Sequence, residues 1–277
     1  MRIAISGANG RVGSAAVAAL QARGHSLCCN DVAGQPPADS DADWLIGDLC
    51  DPATLDRLLE GAEVLVHMAA TLRDDPIDRI IDSNHRLVHA VYEGARRHGL
   101  RRVVYASSNH AYGLYPAGQV LRLSDPPLAD CYYRLSKVWG EALARMYWTK
   151  HGIETVALRI GSYFNCPPRS TRELSTWIGR EDMEQLLWRA VEQPVPGFAP
   201  VWGISSNTRA WYDLSEGNAI GYAPVQNAED WAATLTAQAE TPDPVADAWQ
   251  GGRFVLQAWT DPQDRPGARH RGGTPPT

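Results

Sequence analysis

The strongest constraint on this chain is how it starts. A short run with an apolar centre, "RIAIS" (Arg2 to Ser6), reads as a buried strand and meets "GANGRVG" and then an alanine-rich stretch, Val12 to Ala22, with helical apolar spacing. A buried strand that passes through three glycines, Gly7, Gly10 and Gly13, into a helix leaves few options. Glycine permits positive φ and close backbone approach, so amide groups at the turn can face a pyrophosphate while the helix N-terminus favours its negative charge. Gly13 lets the helix sit tightly on the strand. The same string also serves a tight strand-to-helix turn without a ligand, and context decides between the two.

That context is regular. "SLCCN" reads as a second strand and "DWLIG" as a weaker third. Asp51 and Pro52 supply a cap and a first-turn proline for a helix over Ala53 to Leu59. "AEVLVHMAA" is apolar without alternation, as strands covered on both faces are. Ile77 to His98 reads as one long helix closed by Gly99, "RRVVYAS" as a strand, Tyr133 to Lys150 as a helix closed by Gly152, and "ETVALRIG" as a further strand. Strand alternating with helix implies an α/β fold, a Rossmann-type doubly wound parallel sheet with helices on both faces. The pattern holds to about residue 160, which marks 1–160 as a dinucleotide-binding core. Prolines then cluster (Pro167, Pro168, Pro194, Pro196, Pro200) around a helix over Glu181 to Val191, so 161–259 reads as a small substrate-side lobe packed on the core. From Thr260 the chain lacks apolar periodicity, and 260–277 is expected to be a disordered tail.

Charge and cysteine usage narrow the function classes. The net charge of −6, with both signs interspersed, lacks the basic footprint of a nucleic-acid binder. Five cysteines, odd in number and without a CxxC, argue against a disulfide framework or a zinc site. The N-terminus carries no apolar segment of the signal-peptide kind, and no apolar run approaches the roughly 20 residues a membrane helix takes. A cytoplasmic protein working without metal or membrane is the expectation.

Candidate chemistry sits at the ends of the strands. Asp31 closes the second strand, where an acidic side chain holds adenosine ribose hydroxyls; with no arginine in the following "DVAGQPP", NAD is favoured over NADP. Asp31 could equally cap its own loop. Asp48, after the third strand, is a candidate for the adenine. Tyr133 and Lys137 lie one turn apart on a helix and share a face. A free phenol titrates near roughly 10, and an adjacent ammonium would stabilise the phenolate as a base. Ser108, beside the carboxyl edge of the sheet, would orient a substrate hydroxyl and stabilise developing charge.

On "SGANGRVG", "SSN" and "YRLSK" the chain resembles the short-chain dehydrogenase/reductases in their extended branch, the NAD-dependent epimerase/dehydratase superfamily. "SSNHAYGLY", "LRIGSYF", "RELSTWI", "GISSNTRAWYD" and "WQGGRFV" are similar to uronate dehydrogenases in order and spacing, to about residue 256. The resemblance implies a catalytic set of Tyr133, Lys137 and Ser108, with Asn84 supporting the lysine through a water. Asn109 and His110 would contact sugar hydroxyls, Ser162 would line the junction of cofactor and sugar, and Arg172 would clamp a carboxylate with its planar fork. Asn9, Arg11, Val12, Leu49, Ala69, Ala70 and Ile160 are expected along the cofactor. The implied reaction is NAD-dependent oxidation at C1 of a cyclic hexuronic acid to an aldarolactone, by a homo-oligomer.

Two departures bear on the substrate. Leu72 stands where the family carries a substrate-binding serine, and the loop before Arg172 is one residue longer than the family pattern, which makes Arg169 an alternative clamp. Simpler roles stay open: His110 as a satisfied loop histidine, Arg172 as a surface partner of Glu173 or Glu181, and Trp177, Trp202 and Trp211 as lobe packing. The competing functions are a nucleotide-sugar epimerase or dehydratase, a dehydrogenase of a modified aldose, and a non-catalytic NAD-sensing protein.

Overall fold

The computed structural model describes residues 1–34, 40–71, 77–215, 219–237 and 243–256. Leu72 and the tail from Thr260 lie outside the described residues.

The alternation expected from sequence is present. β1 (Arg2–Ser6), α1 (Arg11–Gln21), β2 (Ser26–Asp31), β3 (Asp43–Ile46), α2 (Pro52–Leu59) and β4 (Val64–His67) form the first half. α3 (Ile77–Ile80), α4 (Arg86–His98), β5 (Arg102–Ser108), α5 (Tyr132–His151) and β6 (Glu154–Ile160) form the second. α6 (Glu173–Thr176), α7 (Arg180–Glu192), β7 (Phe198–Gly203) and α8 (Ala232–Ala237) follow. The seven strands run parallel in the order β3-β2-β1-β4-β5-β6-β7. The order reverses at β1 and β4, and that switch point opens a crevice at the carboxyl ends of the strands.

Strand periodicity distributes the core between two faces. Ile3 and Ile5 of β1 point to the side covered by α1 and α7, where Leu20, Met183 and Leu187 are fully buried. Ala4 points to the other side, against α2, α4 and α5, through Leu58, Val91 and Ala144. Each such aliphatic side chain contributes about 1.5–3 kcal/mol on burial. Asp51 caps α2, its carboxylate accepting from the Thr54 amide at 3.0 Å.

The structure departs from the sequence reading at two places. The long helix of 77–98 is interrupted by a wide π turn at Ile81–His85, which turns the buried Asn84 inward between the loop after β4 and α5. And 198–203, read as proline-rich loop, is the seventh strand. Among the described residues it lies at the sheet edge and pairs with β6 alone, and an edge strand tolerates Pro200 because one side of its ladder is free.

Candidate active site

The crevice is a cavity of ≈ 1050 Å³ running from the glycine turn to α6. At one end the glycines build a backbone cradle. Gly7 has φ +68°, and a Cβ there would stand 2.7 Å from the Ala69 amide nitrogen; a Cβ on Gly13 would overlap the Gly7 carbonyl. Gly10 caps α1 without a side-chain hydrogen bond and no acidic residue sits in the helix's first turn, so the positive end of its dipole faces the cavity. Gly10, Arg11, Val12 and Gly13 line this end. These features fit a dinucleotide pyrophosphate, and the residues named would hold it.

Asp31 lines the cavity where β2 ends, and it also secures its own turn: the Asn9 amide donates to one carboxylate oxygen at 3.0 Å and the Val32 amide to the other at 2.8 Å. Asp31 thus caps its own loop while its carboxylate borders the cavity. Asn9 itself does not line the cavity; its side chain donates to the Ala33 carbonyl at 3.0 Å and so fixes the loop that carries Asp31. Asp48 and the buried Leu49 border the same end, with Asp48 held by the Cys50 amide at 2.8 Å. Ala69 and Ala70 line the wall after β4, and Ile160 and Ser162 the wall after β6.

Tyr133 and Lys137 reach the middle of the cavity from α5. Both are buried, at 7% and 3% exposure, and the Lys137 Nζ lies 5.4 Å from the Tyr133 ring centroid and 5.3 Å from that of Tyr105. Burial disfavours the charged form of each. It pushes the phenol up to about 12 and the lysine down to about 7. Both shifts have one cause, the desolvated middle of the cavity, and a phenolate formed there is favoured by a cation beside it. Ser108 ends β5 half-buried, its Oγ accepting from the His110 amide at 3.1 Å, which leaves the hydroxyl proton to donate. Asn84 does not line the cavity. Its Oδ1 accepts from the Thr71 amide at 2.9 Å and its Nδ2 donates to Ser136 Oγ at 3.1 Å, while Ser136 donates to the Tyr133 carbonyl at 2.5 Å. The π turn therefore steadies the backbone that carries the tyrosine.

Polar groups gather at the far end. Asn109 donates to the Tyr212 hydroxyl at 3.1 Å. His110, driven down to about 4 by burial, donates from Nδ1 to the buried Asp130 carboxylate at 2.6 Å and turns Nε2 towards Arg172, 3.5 Å away. Arg172 is half-buried, with Nε donating to the Gln250 carbonyl at 2.7 Å and Nη1 3.5 Å from the hydroxyls of Ser162 and Thr176. It has no carboxylate partner among the described residues. Glu173, offered above as its mate, instead pairs with Arg169 at 3.1 Å on the half-exposed rim. Trp177 and Trp202 are core residues, and Trp211 is half-buried with the Arg172 guanidinium 6.0 Å from its ring.

Sequence reasoning missed three residues here. Asp130 stands behind His110, Arg134 stacks on Tyr133, and Phe254 contacts both His110 and Arg134. Their only signal was position inside motifs, "DCYYRLSK" and "WQGGRFV".

Comparison with known proteins agrees with this architecture. The chain matches the NAD dependent epimerase/dehydratase family over residues 3–197. It is 37% identical to the uronate dehydrogenase of Pseudomonas syringae pv. tomato, covering 92% of this chain and 93% of that one. It superposes on the crystal structure of uronate dehydrogenase from Agrobacterium tumefaciens with TM-score 0.86 at 35% identity, covering 92% and 96% of the two chains. A tyrosine-to-alanine mutant of that enzyme, solved in complex with NAD, also matches with TM-score 0.86, at 34% identity over 92% and 97% of the chains. With its glycine cradle, parallel sheet and buried tyrosine–lysine pair, the chain belongs to the NAD dependent epimerase/dehydratase family and is an NAD-dependent dehydrogenase.

Proposed function

We propose that this enzyme oxidises the anomeric C1 hydroxyl of a cyclic hexuronic acid, such as glucuronate or galacturonate, to an aldarolactone. The observation that carries the reading is Arg172: a half-buried guanidinium, free of any carboxylate among the described residues, in the same cavity as Tyr133. A planar fork facing a largely desolvated space suits a substrate carboxylate. The uronate dehydrogenases above support the same substrate class.

In this reading Tyr133 takes the proton of the C1 hydroxyl as the C1–H bond breaks. NAD, when bound, accepts the hydride. Lys137 keeps the phenolate stable in a desolvated site, and the Ser108 proton donates to the oxygen on which charge develops. Nε2 of His110, held as an acceptor by Asp130, accepts a hydrogen bond from a ring hydroxyl, and Asn109 orients another. The lactone opens in water to the diacid. Residues beyond 160 close the sugar side of the site. The reading carries with it a homo-oligomeric enzyme of the cytoplasm, on the strength of the family resemblance.

The test is isotopic. With uronate deuterated at C1, deuterium should appear in the reduced nicotinamide, and the first carbohydrate product seen by NMR should be a lactone. Reduced cofactor without deuterium would place the oxidation at another carbon and reject the reading.

A further inference from the structure

We infer that Arg134 is a second cation that holds Tyr133 in its reactive phenolate form, acting with Lys137. The inference rests on the proposal that Tyr133 is the base.

The geometry is unusual for neighbours in a helix, which normally face apart. The Arg134 guanidinium folds back to 4.6 Å from the Tyr133 ring centroid, and Phe254 covers it at the same 4.6 Å. The residue is 7% exposed and borders the cavity. Its partners are weak. Nη1 donates to Cys131 Sγ at 3.2 Å, and Nε has no hydrogen-bond partner among the described residues, standing 4.0 Å from Asp130 Oδ1. The other oxygen of Asp130 is taken by His110.

Two other buried arginines show what a structural role looks like here. Arg102 donates to Glu154 through two nitrogens, at 2.6 and 2.9 Å, and Arg159 to Glu141 through two, at 2.9 and 3.2 Å. Their charge is spent on a carboxylate. Arg134 makes no such two-point pair: Asp130 Oδ1 stands off at 4.0 Å from its Nε, and a phenol that must ionise lies beside it at 4.6 Å.

The groups facing Tyr133 can be named. From α5 and its cap they are Cys131, Arg134 and Lys137; from β5, Tyr105; Ile80 of α3 and Ala70 after β4 are apolar contacts. His110, Asp130 and Arg172 stand beyond Arg134. Burial raises the phenol, and Arg134 is the cation that pulls it back down. Lys137, lowered to about 7, loses charge as pH rises through neutrality, whereas a guanidinium stays charged. Arg134 therefore supplies a constant field over the pH range in which the ammonium fades.

The experiment compares wild type with Arg134→Leu, Arg134→Lys and Tyr133→Phe. The expected result is that the acid limb of kcat/KM against pH moves up by about one unit or more in Arg134→Leu and stays near wild type in Arg134→Lys. Without NAD, absorbance titration of the Tyr133 phenol, taken as the difference from Tyr133→Phe, should shift the same way. Arg134→Gln carries the same test if the leucine variant does not fold. An unmoved limb and an unmoved phenol would overturn the inference, including the case in which only KM for the sugar rises. Full activity in Tyr133→Phe would instead sink the proposed function.

Discussion

The imidazole of His110 donates from Nδ1 to the fully buried carboxylate of Asp130 at 2.6 Å. That one bond decides what the sugar end of the site offers. With Nδ1 protonated and the ring neutral, Nε2 is an acceptor beside the donor fork of Arg172. An acceptor and a charged donor side by side suit a ring hydroxyl next to a carboxylate.

Asp130→Asn tests that arrangement. An amide can donate to Nδ1, which moves the ring proton to Nε2 and makes Nε2 a donor pointed at a guanidinium. KM for the uronate should rise by about tenfold or more, as an unsatisfied buried polar group costs roughly 1–3 kcal/mol, with NAD affinity unchanged. Nitrogen NMR of the imidazole would show the tautomer, and steady-state kinetics the KM. An unchanged KM with the proton moved to Nε2 would remove His110 from substrate binding.

Arg172→Met should separate binding from chemistry. A charge-assisted contact is worth about 1.5–3 kcal/mol, so KM for a uronate should rise by about one to two orders of magnitude while neutral aldoses lose little. Arg169→Met, on the rim and paired with Glu173, should change KM much less. Equal effects of the two variants would move the clamp to Arg169.

Gly13→Ala should damage the cradle directly, because the new methyl would meet the Gly7 carbonyl. The loop must shift, and NAD affinity should fall by about tenfold or more while the protein loses roughly 1–3 kcal/mol of stability. Cofactor titration by fluorescence and thermal unfolding measure the two losses.

Stability should fall with acid through His67. This ring is 1% exposed, its Nδ1 bonds Ser6 Oγ at 2.7 Å, and its Nε2 lacks a partner among the described residues. Burial takes it from 6.5 down to about 3. The unfolded chain therefore binds the proton first: stability is complete above about pH 6.5 and declines as pH falls towards 3. His110, lowered to about 4, acts with the same sign. Thermal unfolding followed against pH should show a shallower acid decline in His67→Asn than in wild type.

How much of this was readable from sequence depends on the range of each interaction. The glycine cradle and the Tyr133–Lys137 pair were legible because their geometry is local: one turn, one helix face. β7 was not. Pro196 and Pro200 look like loop punctuation, and only the free edge of the sheet makes them acceptable in and beside a strand. The π turn at Asn84 was also hidden, since no proline or glycine marks it, and so were the asparagine's direct bonds to Ser136 and Thr71. Arg134 is the clearest case. Nothing in "YRLSK" marks it, and Phe254, arriving from far down the chain, helps cover it beside the phenol.

The most direct test of the central claim is NADH formation by the purified enzyme with glucuronate and galacturonate, set against glucose and galactose. The account predicts a steady rise in absorbance with the uronates, a far weaker one with the neutral sugars, and none from Tyr133→Phe. No rise with any uronate, or equal rates with and without the sugar carboxylate, would contradict it.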